Sequence, residues 1–182
     1  MNFSNIWDDV LYPSFWSSIR GDIYGVISRD VMDEQMFHLA RRAVSAFKFP
    51  KISTKYEVFY AIRDKADETI LTVVEEGFTP EPDAEGNIQQ VIPHACFNER
   101  LSYDEVEIIL AWMKVYWCEQ LLSNADNFDD IYTDANIKTY SRANLVDKNM
   151  KLLSTYREYA RELETRYSRT TADRKPSLGD IN

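Results

Sequence analysis

Cysteine, histidine and glycine are all scarce in this chain, and each shortage removes a class of chemistry. The 182 residues hold two cysteines, Cys96 and Cys118, and two histidines, His38 and His94. Two cysteines cannot build a disulfide framework, and these lack the paired spacing of a zinc site; a reduced compartment and a packing role are expected for both. His94 and Cys96 together supply at most half a metal site. We therefore expect structural or surface roles for both histidines, His38 on a helix and His94 in a loop after Pro93. Serine or cysteine catalysis requires a nucleophile, a base and an orienting acid, a set that the sequence does not assemble. The five glycines, Gly21, Gly25, Gly77, Gly86 and Gly179, are scattered and form no phosphate-cradling loop. The doublets Asp8-Asp9, Glu75-Glu76 and Asp129-Asp130 read as solvated carboxylates, because adjacent residues on a helix or strand point in different directions. The acidic loop does not match a calcium-binding pattern. No catalytic residue, metal ligand or cofactor emerges, and a small hydrolase would require distant carboxylates to converge.

Long apolar runs are missing too. No window approaches the roughly 20 residues that cross a bilayer, and the segment from Met1 lacks a basic stretch followed by an apolar one. No membrane partner is expected, and synthesis and assembly in the cytosol are. What is abundant is apolar and aromatic surface, 45% and 13% of residues. At about 25 cal/mol per Å² buried, that is ample for a core and argues against general disorder. Net charge is −9, unevenly spread: residues 54 to 134 carry 5 basic and 18 acidic side chains, residues 141 to 169 carry 7 and 4. The acidic midsection opposes tight nucleic-acid binding, which depends on cations neutralising phosphates. The basic residues near the C-terminus alternate with Glu158, Glu162 and Glu164, as on a charged outer helix face.

The pattern predicts a mainly α, α+β fold: a helical bundle with two long C-terminal helices, a small β-hairpin or three-stranded insertion, and an extended C-terminal tail. One helical domain is expected over 1–169, comprising N-terminal helices (1–53), a hairpin with an acidic loop (54–98) and the long helical pair (99–169). One or two short helices are expected within 3–27, where Trp7, Val10, Leu11 and Phe15 recur at helical spacing. Met32, Met36, Leu39, Ala40, Ala43, Val44 and Phe47 form one stripe, so a helix should run from Val31 to Phe47 and end before Pro50. Glu57–Ile62 and Thr69–Val74 suit paired strands, 77–90 an exposed loop, and Ile88–Ile92 a third strand.

The strongest local signal is Leu101-Ser102-Tyr103-Asp104-Glu105-Val106. Ser102 and Glu105 have capping-box spacing, Leu101 and Val106 the spacing of a hydrophobic staple, and Asp104 and Glu105 suit the positive helix end. This helix should reach about Ser123. Val106, Ile109, Leu110, Met113, Trp117 and Leu121 fall on one side of it, while Ile108, Trp112, Val115 and Leu122 fall roughly opposite. A helix apolar all round must be buried in its own chain or covered by a partner. The last helix should run from near Ser141 to about Arg169, with Leu145, Leu152, Leu153, Tyr156, Tyr159, Ala160, Leu163 and Tyr167 on one face. Asp147 with Lys151 and Glu162 with Arg166 have favourable four-residue spacing. Residues expected in core or subunit packing are Val106, Ile109, Trp112, Met113, Trp117, Leu145, Leu152, Tyr156 and Leu163. Residues 170–182 read as a mobile tail or an arm that orders on a partner, with Lys175, Pro176, Leu178 and Ile181 as the docking arm.

About 70 residues of these helices resemble tailed-bacteriophage virion proteins of the neck, where head meets tail. The similarity lies in Phe97 to Leu101 leading into Ser102-x-x-Glu105, in Glu107-Ile-Ile-Leu-Ala-Trp-Met113 with Trp117, in Lys138-x-x-Ser141-x-Ala143-Asn144-Leu145, and in Leu163-x-x-x-Tyr167-Ser168-Arg169. The resemblance implies a non-enzymatic head-to-tail connector, a homo-oligomeric ring commonly of twelve copies between portal and tail proteins, located in the virion neck, with DNA passing through its lumen without sequence-specific binding. A soluble helical adaptor or regulatory module that binds one protein through its apolar face is the alternative. If residues 54 to 134 faced such a lumen, their carboxylates would repel the DNA backbone and let it slide. Neutralising several of them should then slow genome ejection, measured by DNA release from virions; unchanged release would defeat the idea.

Overall fold

The computed structural model describes residues 6–19, 29–51, 53–63, 71–82, 88–123 and 142–172. Five helices and three strands follow in the order α1 (Trp7–Val10), α2 (Tyr12–Ile19), α3 (Arg29–Ala46), β1 (Tyr56–Arg63), β2 (Leu71–Val74), β3 (Ile92–Phe97), α4 (Tyr103–Ser123) and α5 (Arg142–Ala172). This is the mainly helical α+β fold expected. The chain divides into two compact units, one of Met1–Arg41 with Pro50–Ser102, the other of Arg42–Phe49 with Tyr103–Asn182.

The first unit is built on a three-stranded antiparallel sheet in the order β2-β1-β3. Tyr60 pairs with Val74 and Arg63 with Leu71, while Tyr56 pairs with Phe97 and Ala61 with Ile92. Because facing residues share a side, Phe59, Ala61, Ile92 and His94 line one face, and all four are buried. The β1–β2 hairpin matches the sequence pattern; its connection lies outside the described residues. The third strand is displaced: Ile88–Ile92 was expected, whereas β3 runs over Ile92–Phe97. Pro93 cannot donate to a ladder, and β3 accommodates it as an outer strand of this sheet. After β2, Phe78 N–H closes on the Glu75 carbonyl at 3.0 Å, with Gly77 in the left-handed region at φ 83°. Only glycine enters that region freely, so this turn fixes where the strand stops.

The N-terminal helices cover one end of this sheet. Ile6 forms an isolated antiparallel bridge with Cys96, and Trp7, with no exposed surface, packs its ring on Tyr56, Phe97 and Phe37 at 4.7, 5.3 and 5.8 Å between centroids. Two readings are corrected here. His94 is not in a loop but in β3, 1% exposed, and Asp8 is not a solvated carboxylate: its Oδ1 lies 3.0 Å from His94 Nδ1. Strand alternation turns His94 inward, stacked on Phe59, and the first turn of α1 brings Asp8 to it. Asp9 remains exposed. His38 is exposed on α3, as expected.

In the second unit α4 and α5 pack closely, joined by the last turn of α3. The α3 stripe is as predicted: Met36, Leu39, Ala40, Ala43, Val44 and Phe47 are all buried. Helix boundaries for α4 and α5 fall within a few residues of those read from Ser102 and Ser141. Both four-residue ion pairs form, Lys151 to Asp147 at 2.7 Å and Arg166 to Glu162 at 2.9 Å.

Candidate interaction surface

Helix α4 is so apolar that its few polar side chains have to be provided for individually. Glu105 has no exposed surface, and its Oε1 accepts the Tyr167 hydroxyl at 2.5 Å. The Tyr167 ring in turn meets Phe47 edge-on at 5.5 Å. Glu164, also buried, accepts the Trp112 indole N–H at 3.0 Å and the Lys48 backbone N–H at 3.3 Å. Glu119 takes one arginine on each oxygen, Arg42 at 2.9 Å and Arg157 at 2.7 Å, and the Arg42 guanidinium also lies 4.1 Å over the Tyr116 ring. Tyr159 donates to Glu107 at 2.8 Å. These contacts run from early α4 to late α5 and from late α4 to the middle of α5, so the two helices are antiparallel.

From sequence, Glu105 is a capping residue suited to the positive helix end. Its burial against Tyr167 was not legible, because it depends on a partner 62 residues away. Glu164 was read as a surface charge and is instead the acceptor that orients Trp112. The one signal that could have found them is the pairing of a carboxylate with tyrosine or tryptophan on otherwise apolar faces, since buried carboxylates require donors.

Of the residues expected to pack, Ile109, Met113 and Leu163 are buried, while Val106, Trp112, Trp117 and Tyr156 are partly buried. Leu152 is exposed at 37%, and the Leu145 side chain lies outside the described residues, as do Lys175, Pro176, Leu178 and Ile181. The burial of α4 is unequal around its circumference. At about 100° per residue, Val106, Leu110, Trp117 and Leu121 fall within about 60° of arc, and all four keep some exposure. This arc lies roughly opposite Trp112 and Glu119, through which α4 meets α5. On α5 the buried arc is Ala160, Leu163, Glu164 and Tyr167, and Met150 is exposed at 59% on its flank. The pair thus keeps part-exposed apolar side chains on α4, Trp112, Tyr116 and Leu122 among them, and an exposed methionine on α5.

Burial also sets the titration of the groups here. It pushes the Cys118 thiol from 9.0 up to about 11 and raises Tyr156 and Tyr116 above the usual phenol range, while the hydrogen bond to Glu107 does the same for Tyr159. Among the described residues no three potential ligands gather into a metal site, and no helix is long and apolar enough to cross a membrane. No family model matches the chain, and neither a curated protein nor a solved structure matches it.

Replacing Tyr167 by Phe strips a donor from a buried carboxylate and should cost about 1–3 kcal/mol in urea unfolding, with part of the loss recovered in a Glu105→Leu/Tyr167→Phe double variant. An unchanged unfolding midpoint for Tyr167→Phe would show that the bond carries no weight. The raised Cys118 thiol keeps its proton in the folded chain where the unfolded chain has lost it, so its contribution to stability is complete below about pH 9 and is lost as the pH rises toward 11. Unfolding curves over that range should fall more steeply for the native sequence than for Cys118→Ala; parallel curves would refute this.

Proposed function

We propose that this chain is a structural virion protein of a tailed phage, a non-enzymatic subunit of the head-to-tail connector ring in the neck. The observation that carries the reading is that apolar side chains stay accessible at separate places on the helix pair: part-exposed Val106, Leu110, Trp117 and Leu121 on α4, and exposed Met150 on α5. A ring subunit needs two unlike patches, because each copy offers one surface to the copy before it and another to the copy after it. A partner-binding adaptor needs only one. The resemblance of the α4 and α5 segments to neck proteins points the same way, and it implies a ring, commonly of twelve copies, between the portal and the tail or other neck proteins.

In this role the mechanism is geometric. The carboxylate anchors hold α4 and α5 rigid as a pair, and the pair forms the wall of the ring. Leu121→Glu places a charge in the part-exposed arc without entering the buried set, so native mass spectrometry in the presence of purified portal protein should lose the discrete ring while circular dichroism stays helical. A native chain that remains monomeric with portal and tail proteins present, yet binds a single other protein tightly, would replace the connector with the adaptor.

A further inference from the structure

We infer that residues 75–82, together with Ile88, form a preorganised acidic arm that docks in a groove of a different protein, one lined with aromatic side chains and rimmed by lysine or arginine. The inference deepens the connector reading and rests on it in one respect, that the protein receiving the arm is a neighbour in the neck.

The sequence of the arm fixes its shape. Proline locks φ at about −65°, and a residue that precedes proline is kept away from the helical region. Pro80 and Pro82 alternate with Thr79 and Glu81, so the four residues 79–82 are confined to extended, polyproline-like backbone. In the structure residues 78–82 belong to neither helix nor strand. The arm is also anchored where it leaves the sheet and where the chain returns. At its root Phe78 N–H donates to the Glu75 carbonyl at 3.0 Å, Gly77 turns the chain at φ 83°, and the Tyr60 hydroxyl donates to Glu76 at 3.4 Å. On the return Gln90 donates to Glu34 of α3 at 3.1 Å. A segment stiff along its length and fixed at its ends loses little conformational freedom on binding, which is what a docking element requires.

What the arm displays selects its partner. Phe78 is 47% exposed and Ile88 62% exposed, one near each anchor. Glu75, Glu76, Thr79, Glu81 and Pro82 are exposed as well. Residues 75–90 hold five carboxylates and no cation. Nucleic acid and anionic lipid carry phosphates of the same sign and are repelled by such a surface, which leaves a protein as the occupant. Polyproline-like segments are received by grooves of aromatic side chains. Phe78 supplies the apolar anchor for such a groove, and lysine or arginine at its rim complements the carboxylates.

The test measures binding of the full chain to purified portal protein and to purified tail protein, each immobilised for interferometry. Phe78→Ser should weaken binding at least about tenfold. Pro80→Ala/Pro82→Ala keeps the charges and the anchor but loosens the arm, and should weaken binding at least about threefold. Glu75→Lys/Glu81→Lys should weaken binding at low salt, with a smaller loss at high salt. Circular dichroism of each variant should match the native chain. If the native chain binds and none of the variants is weakened, the arm is not the docking element and the connector reading stands. Loss with Phe78→Ser but not with the proline pair overturns the preorganised arm, and tighter binding by the lysine variant overturns the cationic groove. If the native chain associates only with itself and Phe78→Ser abolishes that, the occupant is a second copy and the inference falls. A native chain that binds neither protein and forms no ring with them overturns the arm and the connector together.

Discussion

A carboxylate with no exposed surface must receive its hydrogen-bond donors from the chain that buries it, and Glu105 shows what that demand does to the rest of the second unit. Its acceptor oxygen is met by Tyr167, which can reach it only if α5 returns antiparallel beside the start of α4. Glu164 repeats the arrangement in the other direction, rising from α5 to accept from Trp112. The two helices are thus locked in register by side chains whose burial would otherwise cost several kcal/mol apiece. Burial of apolar side chains such as Ile108, Ile109, Met113, Ala160 and Leu163 supplies the larger driving force, but apolar burial is tolerant of sliding. The carboxylate contacts are not, and they decide which residues end up outside.

Much of the fold was legible in the sequence because it follows from local periodicity. The α3 stripe, the β1–β2 hairpin, the start of α4 after Ser102 and the length of α5 were each visible in windows of a few turns. What escaped reading depends on distant partners. The third strand, expected over Ile88–Ile92, runs over Ile92–Phe97, because its limits are set by pairing with Tyr56–Ala61 rather than by local composition. His94 was taken for a loop residue because nothing near it in sequence indicates Asp8, 86 residues earlier. On α4, periodicity identified a helix apolar all round, but which of its side chains are buried and which part-exposed required the α4–α5 pairing.

Polar contacts in the second unit also converge on few acceptors. Glu119 receives arginines from α3 and α5 at once, so the end of α3, the middle of α5 and the last turns of α4 are tied through a single side chain. Arg42 adds its stacking on Tyr116. Such a node costs little in desolvation because its members keep access to water, and its worth lies in fixing orientation rather than in net stability. The same economy holds in the first unit, where Trp7 fills the space between the sheet and α3 and the His94–Asp8 pair seats α1.

The short outer strand β2 has a consequence for how the first unit meets other chains. An unpaired strand edge invites a foreign strand to extend the sheet, and crowding raises that hazard. Here the edge is four residues long, with Val73 46% exposed, and it runs directly into Glu75 and Glu76 before Gly77 bends the chain away. An approaching strand of like sequence would bring its own two glutamates into the same place, so the doublet serves as a gatekeeper against amyloid-like stacking.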